Sequence, residues 1–144
     1  MENPLTLDEE TKERLAQGKV VQIAPLGISM LPFIQGGRDK VLVRKEAKVK
    51  VGDIVLAPYD GRLILHRVYD TDGRRLTLMG DGNLKGTEEV DAVMVMATAV
   101  RIVKPNGRCL KPGKAWLWRH TLPARRLMLK LRRKWYKLTG RNPE

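Results

Sequence analysis

With one cysteine in 144 residues, Cys109, the chain cannot build a disulfide framework, so its fold must stand on an apolar core. The length suits one domain that can bury such a core. Long apolar runs are also missing. Val93 to Val100 and the interrupted run Val20 to Ile34 fall short of the ~20 apolar residues that a spanning helix needs, so no transmembrane segment is expected. The opening residues are polar and acid-rich rather than basic and then apolar, which gives no secretory signal. The expected setting is cytoplasmic, with the inner membrane face as the place for any peripheral contact.

Acidic side chains are scarce at the C-terminal end. Residues 1–100 carry 14 basic and 15 acidic side chains, whereas residues 101–144 carry 14 basic ones and only Glu144. The net charge of +12 therefore belongs to the tail, and an anionic partner would be met there. At helical spacing Ala124, Leu127, Met128, Leu131, Trp135 and Leu138 fall within about 100° of one another. Arg125, Arg126, Lys130, Arg132, Arg133, Lys134 and Lys137 cover the rest, with Thr121 as cap and Pro123 in the first turn. This basic amphipathic helix suits peripheral contact with an anionic membrane, and Trp116, Trp118, Trp135 and Tyr136 suit its interface. The competing reading packs the stripe on the body of the protein. Nothing beyond charge supports a nucleic-acid partner.

What is present in quantity is β-type patterning. Thr6-Leu7-Asp8-Glu9 reads as a capping box for a short acidic helix ending at Gln17, with Gly18 just outside it. Strands are then expected at 19–24, 40–44, 54–57 (stopped by Pro58), 62–69, 75–79 and over the long stretch 90–103. Turn residues fall at 36–39, 60–61, 72–73 and 104–107. The pattern predicts a mainly β fold of short, mostly antiparallel strands, barrel-like or sandwich-like, with a short N-terminal helix and the basic C-terminal one.

Three islands carry chemistry. Ser29 stands between the permissive Gly27 and the rigid Pro32, and a serine held in such a turn can act as a nucleophile once a base is in reach. Only two histidines exist. His66 lies on an expected strand, whereas His120 sits in the cationic tail beside Arg119, so the proposed pair is Ser29 with His66. The imidazole needs a group that fixes its tautomer, and Asp81 in Gly80-Asp81-Gly82-Asn83 is the first choice. Backbone amides at the serine turn would meet the oxyanion. Taken singly, each island has an ordinary reading as turn or strand chemistry.

Together they resemble a known group. Gly27, Ser29, Met30 and Pro32 match the Gly-x-Ser-Met-x-Pro box of the signal peptidase and LexA-like serine peptidase superfamily. Val51-Gly52-Asp53-Ile54-Val55 resembles a further block of that group, and the Gly80 to Asn83 loop is similar to its Gly-Asp-Asn-Asn loop. The base position is His66, as in the histidine-type signal peptidases, while bacterial signal peptidases and LexA-like repressors have lysine there. The resemblance implies a Ser-His endopeptidase that cleaves an extended leader- or signal-like peptide through an acyl-enzyme. The peptide is expected along Ile23, Gly27, Met30, Pro32 and Leu65. Neither cofactor nor metal is called for. Where the histidine-type enzymes carry an assisting acid, this chain has Thr87, with Glu88 adjacent, so Asp81, Glu88 or neither orients His66. The alternative is a noncatalytic peptide-binding or regulatory module. The chain divides into an N-terminal helix (1–18), a peptidase-like β core (19–104) and a basic tail (105–144).

Overall fold

Two tight turns set the central pairings. Asp60 and Gly61 both take positive φ, 50° and 76°, the geometry whose twist matches two flanking antiparallel strands. They join β3 (Ile54–Tyr59) to β4 (Arg62–Thr71), with Tyr59 opposite Arg62 and Ile54 opposite Arg67. The Asp72-Gly73 turn leads into β5 (Arg75–Met79). There the Asp72 carboxylate accepts the amides of Arg75 and Arg74 at 2.8 and 2.9 Å, and these bonds hold its pKa below the ordinary value.

The computed structural model describes residues 6–27, 29–83, 86–120 and 122–139. Before the central hairpin come α1 (Glu9–Ala16), β1 (Val21–Ile23) and β2 (Lys40–Arg44). After it come β6 (Glu88–Asp91), β7 (Ala97–Val103), β8 (Cys109–Leu110), α2 (Trp116–His120) and α3 (Leu122–Thr139). Among the described residues the strands form one eight-stranded sheet in the order β1-β2-β7-β3-β4-β5-β6, with β8 also paired to β7. Every pairing is antiparallel, as expected for a mainly β chain with short connections.

Apolar residues lie on both faces of the central strands, which is why Ile54 to Ala57 reads as an unbroken apolar run. Ile54, Leu56 and Leu65 join Val41, Val43 and Ile102 in one cluster, closed over by Leu15 of α1 and by Met30 and Ile34. Val55, Ile64, Val68, Leu76, Leu78 and Val90 form the second. Burying two faces of one sheet explains how a chain of this length holds together without a disulfide.

The structure differs from the sequence expectations at four places. The cap of α1 is Asp8, whose carboxylate accepts the Thr11 amide at 2.8 Å, two residues later than the proposed Thr6. Pro58 does not stop β3. It pairs with Leu63 beyond the point where β7 leaves β3 at Leu56, so its missing N–H costs the ladder nothing. The stretch 90–103 is two strands, not one. β6 is a sheet edge and β7 is internal, so the 3-10 turn Ala92–Met94 must carry the chain across, leaving Val93 89% exposed. Finally, the short α2, which the sequence pattern did not announce, precedes the tail helix; that helix starts at Leu122, where a cap at position 121 puts it, while Thr121 itself lies outside the described residues.

The apolar stripe of α3 is not packed on the body, contrary to one of its two readings. Leu127, Met128, Leu131, Trp135 and Leu138 are exposed, and the buried apolar residue of the described helix is Leu129.

Candidate active site

Ser29 is presented by a turn whose ends cross. Gly27 takes φ +85°, and a Cβ on Gly36 would come within 2.3 Å of the Gly27 amide nitrogen and carbonyl oxygen. Gly36 N–H donates to that carbonyl at 3.2 Å, a crossing that only glycine permits. Downstream, the Met30 carbonyl accepts the amides of Phe33 and Ile34. Asp39 then closes the turn, accepting from the Gln35 amide at 2.8 Å and from Lys104 Nζ at 2.7 Å.

The opposite wall is the 80–83 loop. Gly82 N–H donates to the Ser29 carbonyl at 2.8 Å, and Asp81 N–H points to Met30 Sδ at 3.4 Å. A Cβ on Gly80 would lie 2.3 Å from the Ser29 carbonyl oxygen, so glycine is what lets the two backbones touch. Met79, the last residue of β5, is opposite Arg67. The loop that grips Ser29 therefore leaves the sheet beside the segment of β4 that carries the histidine.

His66 and Arg67 are neighbours on a strand, so their side chains project to opposite faces. On one face, Glu88 is opposite Leu78, which is opposite Val68, two residues from His66. This register brings Glu88 Oε1 to His66 Nδ1, with both side chains largely buried. On the other face, Arg67 is fully buried. Its Nε and Nη2 donate to the Asp81 carboxylate at 2.8–2.9 Å, and its Nη1 donates to the carbonyls of Gly52 and Gly113 at 2.8 and 2.9 Å. The guanidinium also stands 5.3 Å from the centre of the Phe33 ring.

The first-choice partner of His66 is corrected by this arrangement. Glu88 takes the Nδ1 position, and Asp81 neutralises a guanidinium that could not be buried alone. Arg67 is the residue that sequence reasoning passed over. A charged residue inside the apolar alternation of β4 was the available signal, since a buried arginine demands a carboxylate.

Of the residues expected to meet a peptide, Met30 and Leu65 belong to the core, and Gly27 is buried in the crossing. Ile23 borders a cavity of about 330 Å³ shared with Thr6, Thr11, Gln22 and Leu26, and Pro32 is half-buried in the turn. Among the described residues no hydrogen bond joins Ser29 Oγ to His66.

The tail reaches the same loop. Trp118 Nε1 donates to the Asp81 carbonyl at 2.9 Å, and its ring meets Phe33 edge-on at 5.7 Å. Arg133 Nη2 donates to the Gly82 carbonyl at 3.0 Å.

The Peptidase S24-like family model matches residues 2–100. The chain belongs to that family, which groups LexA-like and signal-peptidase-like serine peptidases. The match takes in Ser29, His66 and Glu88 and stops before the basic tail. A comparison with curated proteins finds no match. Among the described residues no helix is long and apolar enough to cross a membrane.

Proposed function

We propose that this protein is a serine endopeptidase in which Ser29 is the nucleophile, His66 the general base and Glu88 the group that positions His66. The observation that carries the reading is the buried pairing of His66 Nδ1 with Glu88 on a Peptidase S24-like scaffold. A carboxylate at Nδ1 keeps the proton there and leaves the Nε2 lone pair free to accept one. Ser29 Oγ attacks the scissile carbonyl carbon as its proton passes to Nε2, and Glu88 stabilises the imidazolium. Collapse of the tetrahedral intermediate expels the amine, which takes that proton. Water then repeats the sequence on the acyl-enzyme, and Ser29 is regenerated.

The substrate in this reading is an extended, leader- or signal-like peptide. Among the described residues β1 ends the sheet, where a peptide could add as a strand, and the cavity beside Ile23 can take a side chain. The missing Ser29–His66 hydrogen bond favours the second reading, a peptide-binding module of the same fold. Substrate-free sites often have long catalytic contacts that tighten on binding, so the first reading stands ahead.

Labelling by a fluorophosphonate separates the two. Wild type is expected to acylate at Ser29 and to outpace Ser29→Ala and His66→Ala by at least about a hundredfold. Equal labelling of all three proteins refutes the peptidase and leaves the binding module.

A further inference from the structure

Among the described residues, α3 has one buried apolar side chain and a hydrogen bond to the body, and both lie on the same side. Leu129 is 2% exposed and Arg133 bonds to the Gly82 carbonyl. At ~100° per residue these two lie about 40° apart, whereas the arc of Leu127, Met128, Leu131, Trp135 and Leu138 is centred about 170° away from them. A helix packed for its own stability turns its apolar stripe inward. Here the stripe points outward, with Leu127 61%, Leu131 59% and Leu138 76% exposed. Exposed Lys130, Lys134 and Lys137 flank it along one side.

We propose that this face docks α3 flat on an anionic bilayer, with the leucines in the acyl boundary and the lysines among the headgroups. Three features favour a lipid surface over a protein partner. The opposite side of α3 is occupied by the body, so a groove cannot close around the helix, while a plane can approach it. Cations beside an apolar stripe match a layer of negative charge above hydrocarbon. A second copy would bring lysines against lysines, which like-charge repulsion opposes. The proposal does not depend on the peptidase reading.

The test is co-sedimentation of the full chain with vesicles of phosphatidylcholine alone and of phosphatidylcholine with phosphatidylglycerol, at low salt. Wild type is expected to bind the anionic vesicles and to stay in solution with the neutral ones. Combined Lys130→Gln, Lys134→Gln and Lys137→Gln should weaken binding about a hundredfold. Leu127→Gln with Leu131→Gln should weaken it at least about tenfold at unchanged charge. These side chains are exposed, so circular dichroism should report wild-type folding for both variants. Failure of wild type to bind anionic vesicles overturns the proposal, as does undiminished binding by the leucine variant, which would reduce the contact to diffuse charge. Concentration-dependent self-association without vesicle binding overturns it in favour of a second copy.

Discussion

At the scale of single residues, the site is built from two adjacent side chains that must not share a partner. Alternation on β4 sends His66 to Glu88 and Arg67 to Asp81. The two pairs should therefore fail differently. Glu88→Gln is expected to slow fluorophosphonate acylation by about 10²-fold or more with little change in thermal stability, and Glu88→Asp to restore part of the rate. Arg67→Met leaves Asp81 buried without its counter-ion and should cost about 3–5 kcal/mol, read as a lower midpoint in urea unfolding. Ser29 and His66 stand out in the sequence as candidates because each lies in a short motif with a chemical rationale. The Asp81 assignment was not reliable from sequence, since it ignored strand parity: only the register of β6 against β5 shows which acid shares a face with His66. The position of the histidine's carboxylate is thus set by pairing that no local pattern encodes.

Among the elements, the 80–83 loop bears the closest tolerances. Gly80→Ala would place a methyl 2.3 Å from the Ser29 carbonyl oxygen. The expected result is displacement of the serine turn, with acylation falling to the level of Ser29→Ala while far-UV circular dichroism keeps its β signature. α1 offers a milder test. Hydrogen bonding from Thr11 holds the Asp8 carboxyl below its ordinary pKa, so the stabilisation is present above that ordinary value and is lost as pH falls through the lowered one. The Tm difference between wild type and Asp8→Ala should be widest near neutral pH and should close as pH falls below the ordinary carboxylate range. Hairpins at 60–61 and 72–73 were readable because their turn residues dictate backbone geometry. The crossing at 92–94 was not readable, because its Ala-Val-Met sequence is as apolar as the strands it joins and only sheet order requires the break.

Over the whole molecule, charge and apolar surface are divided. The near-neutral body carries the proposed Ser29 and His66 site, and the cationic tail carries the outward stripe. The sequence revealed both the charge and the stripe. It could not reveal which way the stripe faces, because that depends on which side of the helix buries Leu129 and brings Arg133 to Gly82. If peptidase and membrane surface operate together, a peptide tethered to anionic vesicles should be cleaved with a higher kcat/KM than the same peptide free. The advantage should shrink when salt rises from about 0.05 M to 0.5 M, as screening releases the tail. The comparison is made by chromatography of the cleavage products.

The contact between Arg133 and Gly82 gives this division a length. Gly82 holds the Ser29 carbonyl through its amide and receives Arg133 through its own carbonyl, so one residue links the Ser29 turn to the back of α3. A helix with its side chains is about 10–12 Å across. A bilayer lying under the outward stripe would thus stand roughly one helix diameter below the Ser29 turn. That spacing works as a ruler: the bond to be cut would have to rise a few residues of extended chain above the lipid, and a bond flush with the headgroups would be out of reach.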